Sequence, residues 1–206
     1  AAEDVPEAYI EEAADLCDVA MALGAGGTHA KYTANGVINS NEQPSAVLGD
    51  FAMAMGGMHI DAGGEVILRA GEARTPVHLL GRALVDGDLL SDADVNWEPD
   101  RPGDELCNTI HSSCVSPVTW REQTLPIRKN DASIADLGGR FPKNRSYRFV
   151  TDPVQGQRLN KMALAEASYQ GRMQLSLGLW ALAYEPGDWE QITSAYFQGA
   201  TKTFWI

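Results

Sequence analysis

The chain has 206 residues, of which 44% are hydrophobic and 21% charged; that is enough to bury a sizeable core in one or two domains and too apolar for general disorder. Its net charge is −12, with 18 acidic against 4 basic residues in 1–100 and 10 against 12 in 101–206, a balance that argues against general nucleic-acid binding, which clusters Lys and Arg opposite phosphates. There is no apolar run of about 18 residues, and the start is acidic (Glu3, Asp4, Glu7) where a signal peptide is basic and then apolar, so neither a membrane span nor secretion by that route is expected.

The first helix is expected from about Pro6 to Leu23, with Ile10, Ala13, Ala14, Cys17 and Met21 on its apolar face, ending in the glycines after Leu23. Cys17 then reads as a buried free thiol. A strand follows from His29 to Ile38. The second helix begins after Pro44-Ser45, buries Val47, Leu48, Phe51 and Met55, and stops at Gly56-Gly57. Met58 to Ala62 and Glu65 to Ala70 read as strands joined by Gly63-Gly64, which suits a two-residue hairpin. Residues 1–75 thus form a small helix-strand-helix-hairpin unit. Thr75 to Leu80 suit one more strand or crossing segment, and the acidic stretch Asp86 to Asp104, rich in turn residues, reads as a linker or surface loop, so that 76–104 connects two units.

Residues 105–206 are expected to form a β-barrel-like unit carrying one long helix, which makes the fold class α+β. Its first strand lies within Glu105 to Pro117, and Lys129 to Arg145, with Gly138-Gly139, Pro142 and four basic residues, reads as a long exposed loop. Thr151 or Asp152 caps a helix whose first residue is Pro153, a position where the missing N–H costs nothing. Leu159, Met162, Ala163 and Ala167 follow one buried face, and Gly171 stops the helix, which therefore spans about 153–171. From Arg172 the period changes to two, with Met173, Leu175, Leu177, Leu179, Ala181 and Ala183 on one side, as in a long half-buried strand. Glu185-Pro186-Gly187-Asp188 suits a type II turn, and Trp189 to Thr193 a returning strand.

Signals for catalysis are thin. No G-x-S-x-G, H-E-x-x-H or Walker loop is present, and the glycines at 24–27 lack the spacing of a dinucleotide site. His29, His59, His78 and His111 occur singly and read as satisfied or solvent-facing side chains. Glu166 lies among Met162, Ala163 and Ala167 and reads as an ion-pair or subunit contact rather than a perturbed acid. Cys107, His111 and Cys114 have the spacing of part of a zinc site, yet a strand turns Cys114 away from the other two and a fourth ligand is missing; ordinary strand residues are expected, and a Cys107–Cys114 disulfide needs a bend. Trp97, Trp120, Trp180, Trp189 and Trp205 read as core or interface anchors, with a sugar-stacking groove as the other reading. No catalytic, cofactor or metal residue is assigned.

Four stretches, taken in order, resemble the hub of long-tailed phage tails, the tip attachment or host-specificity protein J family that includes the hub-like tail proteins of gene transfer agents. They are Lys31 to Ser40, with its N-G strand; Pro44 to Gly71, a helix and glycine hairpin; Glu105 to Pro117, where Asn108 precedes a V-S-P run; and Thr151 to Asp188, with Thr151, Asp152, Pro153, Gln157, Arg158, Leu177, Leu179, Ala181, Leu182, Pro186, Gly187 and Asp188 matching. Glu166 departs from the pattern, standing where the family often has a basic residue, and 130–147 is unusual in length and composition. The resemblance implies a non-enzymatic structural protein of the virion tail tip, made in the host cytoplasm. It implies a homotrimeric ring that closes the tail tube and docks on the distal tail protein, the tube, the tape measure protein and fibres or receptor-binding proteins. DNA would pass through the lumen without specific binding, and contact with the host surface would be indirect. Under that reading Asp86, Asp88, Asp92, Asp94, Glu98 and Asp100 are candidates for an acidic lumen lining, although a solvated acidic loop is the commoner explanation of such a stretch. The abrupt ends are expected to mark an excerpt of a longer polypeptide. The alternative function is a virion-borne or secreted glycan-active or cell-wall-degrading module, which requires paired carboxylates in a groove.

Overall fold

A computed structural model describes residues 6–24, 26–62, 64–72, 74–90, 95–100, 102–169 and 171–206, with Ala62 described by its backbone alone. The helices are α1 (Glu7–Asp18), α2 (Pro44–Ala54), α3 (Asp131–Asp136) and α4 (Pro153–Ser168). The strands are β1 (Ala20–Ala22), β2 (Thr28–Ala30), β3 (Met58–Ala62), β4 (Glu65–Arg69), β5 (Leu84–Val85), β6 (Asn96–Glu98), β7 (Thr109–Val115), β8 (Glu122–Thr124), β9 (Arg128–Lys129), β10 (Pro142–Tyr147), β11 (Arg172–Gln174), β12 (Trp189–Thr193) and β13 (Thr201–Trp205). The class is α+β, as expected, with the strands in short open sheets and no closed barrel among the described residues. By contact the chain divides into a first unit of Ala1–Glu72 with Leu106–Tyr169 and a second of Ala73–Glu105 with Gln170–Ile206. Each unit is therefore assembled from two separate stretches, where the sequence suggested successive blocks at 1–75, 76–104 and 105–206.

In the first unit β7 is the central strand. β10 pairs with it in parallel on one side, and β8 and β9 pair antiparallel with it. Its period of two turns Ile110, Ser112 and Cys114 inward and His111 outward. α4 begins as the sequence predicts: Asp152 Oδ1 accepts from Val154 N at 2.8 Å and Pro153 fills the first position. Its buried face is Gln155, Gly156, Leu159, Asn160, Ala163 and Leu164. Leu159 joins Val47, Ala54, Cys114, Leu125, Tyr147, Phe149 and Val150 in one core, where Phe51 stacks on Phe149 at 4.3 Å. A fully buried side chain such as Phe149, 1% exposed, contributes about 1.5–3 kcal/mol by leaving water. The hairpin of β3 and β4 has the expected register, Met58 opposite Arg69 and Ala62 opposite Glu65; Gly63 lies outside the described residues.

In the second unit β12 lies between β13, antiparallel, and β5, parallel. Leu84, Ile192 and Phe197 are its buried centre, with Trp97, Trp180 and Phe204 packed around them. The expected turn before β12 is present. Asp188 N donates to Glu185 O at 3.0 Å, and Gly187 has φ +93°, the left-handed value that a type II turn requires at that place.

Several boundaries differ from the sequence expectations, each for a local reason. α1 ends at Asp18 because Ala20–Ala22 leaves the helix to pair with Thr28–Ala30. The strand expected to Ile38 stops at Ala30, where its pairing partner ends. The long strand expected over 172–183 is a strand only to Gln174, since β6 offers three residues to pair with; Leu179–Ala183 coils into a 3-10 turn, leaving Leu179 87% and Leu182 82% exposed. Thr75 to Leu80 forms no strand, although Val77 N donates to Trp189 O at 2.6 Å. The supposed loop from Lys129 to Arg145 is ordered: Asn130 caps α3 by accepting from Ser133 N, and β10 then runs beside β7.

One ion pair ties α2's approach to the core strand segment. Arg148 donates to both oxygens of Glu42 and to Val37 O, and lies 4.9 Å over the Phe149 ring. The Arg148 hydrogen bonds first, then those from Asn39, hold the Glu42 carboxyl down from 4.5 to about 2. A carboxyl depressed by folding adds stability above its unfolded pKa and loses it as the pH falls toward the folded one. In a carbon NMR titration, Glu42 is expected to titrate near pH 2 in the native protein and close to the ordinary value in Arg148→Met; a Glu42 that titrates normally in both would remove this bridge.

Candidate functional site

Three clusters of polar side chains carry the chemistry of the described residues, two in the first unit and one in the second. The first is a set of buried amides. Gln155, 1% exposed, uses every hydrogen-bonding position of its side chain: Oε1 accepts from Thr33 N (3.1 Å) and Thr33 Oγ1 (3.0 Å), while Nε2 donates to Thr33 O and Ala54 O, both at 2.9 Å. Asn160 accepts from Tyr147 Oη at 3.0 Å and donates to Ser112 Oγ at 2.6 Å. Asn108 donates to Gly139 O and accepts from Phe141 N at 2.8 Å, which draws the segment before β10 onto β7. Gln155 and Asn108 stand in for backbone partners where the chain has no ladder, and Asn160 links two side chains, because a buried polar group left unpaired costs more than a made bond returns.

The second cluster surrounds His29. Its Nδ1 lies 3.0 Å from Asp152 Oδ2 and its Nε2 lies 3.3 Å from Arg158 Nη1. A guanidinium can only donate, so Nε2 is the acceptor and Nδ1 carries the proton given to Asp152. Both ring nitrogens are engaged, and Arg158 also donates to Lys31 O. In the second unit Glu190, 1% exposed, accepts from Tyr184 Oη and Gln191 N (2.7 Å), with His78 Nδ1 at 2.8 Å. Burial first, then the Glu190 hydrogen bond, pushes the Tyr184 hydroxyl up and keeps it a donor. Such a carboxylate joins three segments; its oxygens are occupied by the protein itself.

The other residues singled out in the sequence are scattered. His111 is exposed on β7 while Cys114, 1% exposed, faces the core, so the strand separates them as expected. No group of three metal-ligating side chains occurs among the described residues. Cys17 packs half-buried against the first core, where burial first raises its thiol pKa. Glu166, placed by sequence on the buried face of α4, is exposed; that face turns instead through Asn160 and Leu164. Of the acidic stretch, Asp88 is bound to Arg82 at 2.7 and 2.8 Å, which lowers its pKa, and Asp86 Oδ2 accepts from Ala195 N. Asp92 and Asp94 lie outside the described residues. Trp97 packs at 4.8 Å from Phe197 and Trp180 joins the same core, while Trp120 and Trp205 are exposed.

Residues 43–204 match the model of a protein family described as "Putative phage tail protein". The chain belongs to this family of phage tail proteins. None of the curated proteins matches it at a significant level. The matched span includes all of α2 and β7, the amides Asn108, Gln155 and Asn160, and the β12–β13 hairpin as far as Phe204, whereas Thr33, which Gln155 holds, and His29 lie before it. A phage tail protein is a part of the virion, and here buried Asn and Gln brace the irregular backbone of such a part. Sequence reasoning named Asn108 but missed Gln155 and Asn160. Their signal was faint: Gln155 and Leu159, and Asn160 and Leu164, repeat at four residues, the spacing of one helix face.

Proposed function

We propose that this phage tail protein is the hub of a siphophage-type tail tip, a structural component that closes the tube and links it to the distal tail and receptor-binding parts. The observation that carries the reading is the position of the family match, which covers the helix and glycine hairpin, the Asn108 strand and the helix-to-turn segment whose order resembles the hub family. The use made of the buried polar residues supports a structural role. His29, Glu190 and Gln155 each spend their hydrogen-bonding atoms on other parts of the chain, whereas a catalytic base must keep one atom for substrate.

Imaging of whole particles tests it. With a compact tag fused to this chain, extra density is expected at the end of the tail distal to the head, in three copies; density along the tube or at the head would overturn the reading. Purified protein is expected to leave cell wall intact over hours, and release of soluble fragments that tracks the protein through purification would favour a wall-degrading module instead.

A further inference from the structure

Two features of the first unit are open at its surface. One is the tip between β7 and β8. Ser116 N donates to Arg121 O and Trp120 N to Ser116 O, both at 2.9 Å, and these bonds close the turn. Inside it Trp120 has φ +53°, in the left-handed region where a bulky side chain is strained and a glycine is not. Trp120 is 58% exposed, and Val118 beside it is 85% exposed. A strained aromatic held out in water gains nothing within the fold; a rigid indole of this kind gains on contact with another molecule.

The other feature is a groove of about 280 Å³ beside α2 and α4. Buried Ala52 and Ala163 lie in it, with Met53, Met58 and Met162 around them and the exposed Glu166 among its residues. Thioethers attract aromatic rings and adjust to their shape, and small residues leave the depth that an indole needs. The groove carries charge of both signs, Glu166 and Arg145, and Arg145 is engaged with the Tyr147 hydroxyl. Arg121 at the tip and Glu166 at the groove are both exposed, and neither has an ion-pair partner among the described residues.

We propose that the tip of one copy enters the groove of a second copy, with Trp120 among the methionines and Arg121 on Glu166. Tip and groove are different patches of one surface, so the contact is head-to-tail; each copy gives one and receives one, and a rotation that closes makes a ring. This deepens the hub reading and rests on its premise that copies assemble with one another.

Sedimentation equilibrium of the protein, alongside its thermal unfolding, provides the test. Trp120→Gly is expected to leave the unfolding midpoint unchanged or raised, because glycine accepts the left-handed backbone, while association weakens about tenfold or more. Arg121→Glu and Glu166→Arg should each weaken association, and the two reversals together should restore most of it. Association at native strength in Trp120→Gly, or no recovery in the double reversal, overturns this contact and leaves self-assembly standing. A protein that is monomeric at every concentration overturns both this contact and the trimer in the hub reading, whereas the tail-tip position is decided separately by imaging of particles.

Discussion

Gln155→Leu is expected to destabilise the first unit by about 2–4 kcal/mol, read as a lowered denaturant midpoint by circular dichroism. Leucine has nearly the volume of glutamine, so packing against Leu159 and Ala54 is kept and the loss comes from hydrogen bonds. Three backbone groups lose their partner at once: Thr33 N, Thr33 O and Ala54 O. Thr33 is exposed and water can replace part of what it loses, whereas Ala54 is 3% exposed and its bond to Gln155 is buried. That difference sets the range, since each unsatisfied buried group costs about 1–3 kcal/mol and a solvated one much less. An unchanged midpoint would mean that the Lys31 to Ser40 segment is held by other contacts, among them Asn35 N to Phe149 O.

The second large effect is expected at the contact between the end of α2 and the end of the β3–β4 hairpin. A Cβ on Gly57 would lie 1.8 Å from Arg69 O, and one on Gly71 would lie 2.0 Å from Gly56 O. Both obstacles are backbone, so no side chain can turn aside. Gly57 N also donates to Ala52 O at 2.9 Å, which closes the end of α2, and Gly71 N donates to Met55 O at 3.0 Å, which fixes the two segments against each other. Gly57→Ala or Gly71→Ala is therefore expected to cost about 3 kcal/mol. Gly139→Ala is the control. A Cβ there meets nothing within 4 Å, and the midpoint should stay within about 0.5 kcal/mol of the native one. Equal effects at 57 and 139 would remove the close-approach argument.

The elements legible in the sequence are those whose cause is local. α4 announces itself through Asp152 and Pro153, the turn before β12 through Pro186-Gly187, and the hairpin of β3 and β4 through its glycines. Elements that depend on a distant partner were misread. The alternation from Met173 to Ala183 is strand-like, yet a strand continues only as far as its neighbour does, and β6 ends after three pairs. Conversely, β10 is polar and exposed over Pro142–Ser146, with Tyr147 alone buried, so no period marks it; only its hydrogen bonds to β7 make it a strand.

The polar clusters follow the same division. Asn108 stood out because it belongs to a stretch resembling a known family, and its amide anchors Gly139 and Phe141, some 31 and 33 residues away. Gln155 and Asn160 were not legible, because a polar residue on an amphipathic helix is ordinarily assigned to the wet face. Glu166 shows the converse error. Counting apolar neighbours placed it inside, but the helix is turned by the need to seat Gln155 and Asn160, and Glu166 is carried to the surface.

By itself, the sequence determined the α+β class, the places where the chain caps, turns and stops, and the kinship with phage tail proteins. Each of these is set by residues close together in the chain, or by their order along it. Only the tertiary structure decided how two stretches combine into each unit, which strands have partners, which amides are buried, and that Trp120 is held outward in a strained turn. Many of those outcomes depend on residues far apart in the chain, as in Tyr32 meeting Met162, 130 positions away, and no local propensity encodes a contact whose other half lies that far off.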